Sequence, residues 1–170
     1  MNTIALAAFP AMLTELDQWV VWRAEKRSLA SGELKSTKVP YVTGTHRRAS
    51  STDPATWGTF VDARADAQRP GSDAPWGVGF VFTADDPFNG IDLDGCFLDD
   101  SRLHPAARAL VTEFDSYTEL SPSGNGVHVI TTAPVSFTGK RTAKTPWGGV
   151  LEAYSNGRYF TVTGARLDGV

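Results

Sequence analysis

The sequence is poor in cysteine and has no long apolar run. Its one cysteine, Cys96, excludes a disulfide within the chain and favours a reducing compartment. No apolar run approaches the ~18 residues of a membrane-spanning helix. The apolar residues 3–13 lack a basic start and run into Glu15 and Asp17, which favours a buried first helix over a signal peptide. We therefore expect a cytoplasmic protein that does not use a membrane.

The sequence also lacks an excess of positive charge. It has 16 Lys and Arg against 19 Asp and Glu, a net charge of −3, whereas nucleic-acid-binding domains are usually basic. Contacts with a phosphate backbone must therefore come from local basic clusters or through a metal ion. With 170 residues, of which 41% are hydrophobic, the chain is long enough for a single domain over 1–170 with a sizeable core.

The residue patterns predict an α+β fold with helices outside mainly antiparallel strands. Helical spacing is found over 5–17, from Pro54 to about Ala67, and over 105–114. Strand patterns are found over 19–22, 38–41, 78–82, 90–95, 117–120, 127–130, 150–154 and 159–163. Two hairpins are expected, over 78–95 and over 150–163, the second because of its Asn-Gly turn. Residues 25–37 are predicted as a hairpin or loop, and 136–148 as a basic loop.

The most informative stretch runs from Gly90 to Gly95 and contains Asp92 and Asp94. In a strand these two carboxylates share one face while Ile91 and Leu93 enter a core on the other. Neighbouring carboxylates repel each other unless one is protonated or both share a cation, and Mg²⁺ prefers such oxygen ligands. By itself the pair is also compatible with a solvated strand end. An EF-hand is excluded because the glycine comes too early and the terminal Glu is absent.

A second motif, Ser121 to His128, places small residues before a histidine. Its candidate anion-binding residues are Ser123, Gly124, Gly126 and His128, because backbone N–H groups in such a turn form a concave anion site. It is neither a Walker loop nor a nucleophile elbow. A plain hairpin loop followed by a half-buried histidine fits it equally well.

Glu152 and a scattered basic set complete the candidate residues. Glu152 lies between apolar neighbours on a strand, where an acid is costly unless it is paired, metal-bound or facing solvent. Lys38 and Arg158 each lie beside an apolar strand segment. The remaining candidates, which are loop charges that solvent also accounts for, are Arg47, Arg48, Lys140, Arg141 and Lys144.

The order of these motifs resembles the archaeo-eukaryotic primase superfamily, and more closely the primase-polymerase (prim-pol) domains of phage and plasmid replication proteins. The resemblance spans about residues 10 to 164 and is carried by Thr37–Pro40 leading to Ala49–Trp57, by Gly77–Phe82 leading into Gly90–Gly95, by Tyr117–His128, and by Glu152–Gly164. It implies a two-lobed α+β catalytic core containing an RRM-like sheet, with the active site between the lobes. Such domains commonly continue into a helical accessory domain or a helicase, so the chain is expected to be the N-terminal part of a longer replication protein.

The resemblance implies a DNA primase or DNA polymerase that acts on a single-stranded template and a primer with NTP or dNTP substrates. Asp92, Asp94 and Glu152 would be the catalytic residues and hold two Mg²⁺ or Mn²⁺ ions. Ser123, Gly124, Gly126, His128, Lys38 and Arg158 would bind the nucleotide. Arg47, Arg48, Lys140, Arg141 and Lys144 would bind template phosphates. Two alternatives stay open at this point: a nucleic-acid-binding module without catalysis, and a metal-dependent nuclease.

Overall fold

The computed structural model describes residues 9–28, 32–71 and 77–167. Its helices are α1 (Ala11–Thr14), α2 (Phe60–Ala67) and α3 (Pro105–Phe114), with a 3-10 turn at Pro54–Thr56. Its strands are β1 (Trp19–Ser28), β2 (Leu34–Tyr41), β3 (Gly77–Phe82), β4 (Asn89–Asp94), β5 (Tyr117–Leu120), β6 (Gly126–Thr131), β7 (Lys140–Lys144), β8 (Val150–Tyr154) and β9 (Arg158–Val162).

The strands form two antiparallel sheets. The smaller sheet has the order β2-β1-β3-β9 and the larger has the order β5-β6-β4-β8-β7. This confirms the predicted α+β class with mainly antiparallel strands. None of the helices in the described ranges has both the length and the apolar character needed to span a bilayer.

Each sheet has its own set of buried side chains. The smaller sheet packs Trp19 and Phe80 against Phe60 of α2, with ring centroids 4.6 and 5.3 Å from Trp19. The larger sheet packs Ile91 and Leu93 against α3. The alternation predicted for β4 is therefore confirmed, because its apolar residues enter the core beneath α3 and its aspartates face the other way.

Both predicted hairpins are wrong, because in each case the two strands lie in different sheets. β3 pairs with β1 and β9, whereas β4 pairs with β6 and β8. Likewise β8 lies in the larger sheet and β9 in the smaller. The segments after β3 and after β8 therefore carry the chain from one sheet to the other. The carboxylate of Asp86 holds the first of these crossings, because it accepts hydrogen bonds from the backbone of Thr83 and Phe88 and from the side chain of Gln18.

Three further segments differ from their predicted bounds. The expected basic loop over 136–148 contains strand β7, which pairs with β8 along its full length. The expected helix from Pro54 is divided, because Gly58 exchanges two backbone hydrogen bonds with Trp19 before α2 begins. The helix predicted over 5–17 is described only from residue 9, and there it is limited to Ala11–Thr14.

The polar stretch after Trp22 forms a long hairpin rather than a loop. Strands β1 and β2 stay paired from Val21 opposite Tyr41 to Ser28 opposite Leu34. Pro40 lies on β2, an outer strand of the smaller sheet, as its missing N–H predicts. The hairpin extends beside the cavity described next.

Candidate active site

A row of polar side chains crosses the larger sheet on one face. His128 of β6 and Glu152 of β8 lie directly opposite Asp92 of β4, one on each side. Residues directly opposite in antiparallel strands project to the same face, with Cβ atoms about 4.5–5.5 Å apart. The pairing register thus brings together an imidazole and two carboxylates that are far apart in the sequence.

These side chains line a cavity of about 1200 Å³ that both sheets help to form. Of the candidate residues predicted from the sequence, its lining includes Asp92, Asp94, Glu152, His128, Lys38, Arg158 and Lys140. From the smaller sheet and its neighbouring loop come Tyr159, Ser50 and Ser51. The cavity is thus acidic on the larger sheet and carries basic groups at its margin.

Asp92 is held in an environment that disfavours its charge. Burial raises the pKa of Asp92, and the charges of Asp94 and Glu152 act in the same direction, while His128 and Lys38 oppose them. Its Oδ1 atom is enclosed and accepts no hydrogen bond within the described residues, with Nε2 of His128 3.7 Å away. A cation in the cavity would offset this cost.

Lys38 projects from the hairpin toward the aspartates. Loss of water lowers the pKa of Lys38, although the negative charges of Asp92 and Asp94 act in the opposite direction. The backbone carbonyl of Lys38 accepts a hydrogen bond from the hydroxyl of Tyr159 on β9, at 2.5 Å. This bond connects β2 and β9, the strands at the two ends of the smaller sheet.

Glu152 is already engaged by protein donors. Nζ of Lys140 lies 2.5 Å from Oε1 of Glu152, and the Tyr154 hydroxyl donates to Oε2. Within the described residues, no three His, Cys, Asp or Glu side chains are gathered closely enough to hold a metal ion as they stand. The three predicted acids therefore face one cavity without forming a closed ligand set.

Two glycines let neighbouring strands approach the end of β4. A Cβ on Gly149 would lie 2.0 Å from the carbonyl oxygen of Asp94, and one on Gly126 would lie 2.7 Å from that of Leu93. The indole N–H of Trp147 donates to the same Asp94 carbonyl at 2.9 Å. The backbone of Asp94 is thus held from both sides while its carboxylate stays exposed.

The glycine-rich turn is at the margin of the cavity rather than in its wall. Gly126 lies opposite Asp94, but Ser123 and Gly124 are not among the lining residues. The Gly124 N–H donates to the Ser121 carbonyl and the Asn125 N–H to Ser123 Oγ. Two amides of the predicted anion site are therefore used within the turn itself.

The remaining basic residues lie outside the cavity lining. Arg48 forms an exposed ion pair with Glu25 at 2.6 Å, and Arg47 is exposed near it. Arg141 and Lys144 are exposed on β7, the outer strand of the larger sheet. The structure thus separates these predicted phosphate-binding residues into two groups, one in the segment after β2 and one on β7.

Sequence reasoning missed one charged residue of this face, Glu119. It lies on β5 directly opposite His128 and is fully buried, at 0% exposure. The signal was present, because an acid stands between Thr118 and Leu120 in a short strand pattern. Glu119 extends the polar row of β8, β4 and β6 to a fourth strand, β5.

Comparison with known proteins supports the family resemblance. No protein-family model matches the chain. A DNA primase-polymerase of Nitratiruptor phage NrS-1 is 40% identical over 158 residues, which is 92% of this chain and 20% of that protein. The chain thus spans about a fifth of the length of the curated relative that it matches. By this identity and by the order of its motifs, the chain belongs to the primase-polymerase family of phage and plasmid replication proteins.

Proposed function

We propose that the chain is a catalytic domain that transfers nucleotides to a primer on a DNA template, as a DNA primase or polymerase. The observation that carries the proposal is the register of the larger sheet, which sets His128 and Glu152 on either side of Asp92 in one cavity. The name of the phage relative, a DNA primase-polymerase, supports the same activity. We also propose that this domain is part of a longer replication protein.

The residues present fit a divalent metal. Asp92 Oδ1 is enclosed without a hydrogen-bond donor, and carboxylate oxygens are the ligands that Mg²⁺ and Mn²⁺ favour. Asp92 and Asp94 would hold the ions, joined by Glu152 once its present partners release it. When bound, two such ions would supply Lewis-acid chemistry for activating a primer hydroxyl and for offsetting the charge of the triphosphate and the pyrophosphate.

The chain's own residues then bind and orient the nucleotide. His128, Lys38 and Arg158 present positive or donor groups to the cavity from three strands, so they would contact triphosphate oxygens. Ser123, Gly124 and Gly126 would contribute from the margin, where Gly126 lies beside Asp94. No protein nucleophile is needed, because the attacking group belongs to the primer or to the first nucleotide.

Template phosphates would be bound by the exposed cations on the two sheets. Arg141 and Lys144 lie on one outer strand, and Arg47 lies next to the ion-paired Arg48. Phosphate contacts of this kind make affinity fall steeply as salt rises. Lys140 is better placed to act on Glu152 than on the template, since its ammonium group is inside the cavity lining.

A pair of assays tests the proposal: extension of a labelled primer and priming without a primer, each with Mg²⁺ or Mn²⁺ and with NTPs or dNTPs. We expect metal-dependent, template-directed incorporation by the wild type and none by Asp92→Ala. Degradation of the labelled DNA without nucleotides would instead assign a nuclease. Binding of DNA with neither reaction would assign a non-catalytic module.

A further inference from the structure

Glu119 is a fully buried acid that the proposed reaction does not use. Its Oε1 accepts a hydrogen bond from the backbone N–H of Thr163 at 2.9 Å, and its Oε2 accepts from that of Gly164 at 2.8 Å. The Tyr117 hydroxyl also donates to Oε2, at 2.8 Å. Three donors on two oxygens satisfy a carboxylate, which offsets the cost of burying this acid. The carboxylate is thereby fixed in place.

The side chain that Glu119 faces is His128. Oε1 of Glu119 lies 3.4 Å from Nδ1 of His128, and no hydrogen bond closes on Nδ1 within the described part of the chain. On the other edge of the ring, Nε2 lies 3.7 Å from Oδ1 of Asp92. The ring packs against Phe160 at a centroid distance of 4.3 Å and is 2% exposed. His128 is therefore confined between two carboxylates and an aromatic ring.

We infer that Glu119 is a positioning residue that holds the His128 imidazole with Nδ1 toward β5 and Nε2 toward the cavity. This inference rests on the proposed function of His128 as a triphosphate ligand. A carboxylate beside one ring nitrogen selects the ring orientation and keeps a proton on that nitrogen, so a ring that also donates from Nε2 to a triphosphate oxygen carries a proton on each nitrogen. Rotation of the ring by half a turn would move Nε2 away from the cavity, so nucleotide binding depends on the fixed carboxylate.

The chain offers a matched control for the structural role of Glu119. Its Oε2 accepts from Tyr117 and Gly164, whereas Oε1 is the oxygen beside His128. Tyr117→Phe removes a hydrogen bond to the carboxylate without touching the oxygen that faces the ring. Glu119→Gln keeps the size of the side chain and changes the group at Nδ1.

The experiment measures nucleotide KM and kcat by primer extension for wild type, Glu119→Gln, Tyr117→Phe, His128→Ala and the double variant Glu119→Gln/His128→Ala. We expect Glu119→Gln to raise the nucleotide KM about tenfold with a smaller change in kcat, and Tyr117→Phe to leave KM unchanged. If Glu119 acts through His128, the double variant is no worse than His128→Ala alone. Additive losses in the double variant, or a wild-type KM for Glu119→Gln, would overturn the inference.

A second measurement is independent of activity and of whether the variants fold. Nitrogen NMR of the His128 ring in the wild-type protein should show a protonated Nδ1 hydrogen-bonded to a carboxylate. An unprotonated Nδ1 would overturn the inference. Failure of the inference can be told apart from failure of the proposed function. If only the inference fails, wild type incorporates nucleotides, and His128→Ala raises the nucleotide KM whereas Glu119→Gln does not. If the proposed function fails, wild type incorporates no nucleotide, and the NMR spectrum of the ring still decides whether Glu119 orients the imidazole.

Discussion

Lys140 and Glu152 are diagonal neighbours on the paired strands β7 and β8, with Nζ of the lysine 2.5 Å from Oε1 of the acid. Burial acts to raise the pKa of Glu152, but the hydrogen bonds from Lys140 and Tyr154 and the lysine charge outweigh it, so the pKa is lowered. Both carboxylate oxygens are therefore engaged by the protein before any metal arrives. Lys140 occupies the position of a counterion that an incoming metal would have to displace.

Removal of that counterion should strengthen metal binding. We expect Lys140→Met to bind Mn²⁺ several-fold more tightly than wild type, because the metal no longer competes with an ammonium group for Glu152. Calorimetric titration with Mn²⁺ measures the affinity of each protein for the ion. Lys144→Met is the matched control, since it removes the same charge from the same strand where the side chain is exposed. Weaker Mn²⁺ binding by Lys140→Met than by Lys144→Met would show that Lys140 supports the site instead.

Asp92 should limit the stability of the metal-free protein. An acid whose pKa is raised by folding contributes stability below its ordinary pKa, and that contribution is lost as pH rises through the raised value. In EDTA, we therefore expect Asp92→Asn to gain thermal stability relative to wild type as pH rises above the ordinary pKa of an aspartate. The same variant should lose nucleotide incorporation. A stability difference that shrinks with rising pH would contradict the assignment of an unfavourable charge at this position.

Gly149 should be intolerant of any side chain. A methyl group there would meet the Asp94 carbonyl at 2.0 Å, so we expect Gly149→Ala to cost about 1–3 kcal/mol of unfolding free energy and to move β4 relative to β8. Gly58→Ala is the control, because only Thr43 Oγ1 lies within 4 Å of the added carbon, at 3.9 Å. Urea denaturation of both variants measures the difference. Equal stabilities would mean that the loop before β8 yields without moving Asp94.

Cys96 should report on unfolding rather than on redox chemistry. The thiol is fully buried, and burial raises its pKa to about 11. The thiolate is the reactive form, so alkylation by iodoacetamide near neutral pH should be slow in the folded protein and fast in urea. Fast alkylation of folded protein would mean that the segment between β4 and α3 opens locally.

The local patterns predict the elements of this fold better than their pairing. Pro105 and the apolar spacing after it give α3 its observed bounds, and the alternation around Asp92 gives the two faces of β4. Turn chemistry alone does not distinguish a hairpin from a crossing between sheets, so Asn156-Gly157 suggested a pairing that the structure does not contain. Strand β7 has little β propensity of its own and depends on pairing with β8.

Some residues of the candidate site can likewise be predicted from local patterns, whereas others depend on strand pairing. Asp92, Asp94, His128 and Glu152 were predicted together through the order of their motifs, and the sheet brings them to one cavity. Lys140 and Glu119 depend on which strands are neighbours, and residue spacing does not contain that information. The sequence accordingly predicts template binding for Lys140 and only a strand position for Glu119.

The shared register of β4, β6 and β8 makes the candidate site and the packing of the larger sheet depend on one alignment. A single residue inserted into β4 ahead of Asp92 would reverse its alternation, turning Leu93 into the cavity and a carboxylate into the packing beneath α3. Changes in chain length that such a domain tolerates should therefore fall in its connections, for instance over 98–102, and never inside these three strands. A library of one-residue insertions, scored for soluble expression, would map that boundary directly.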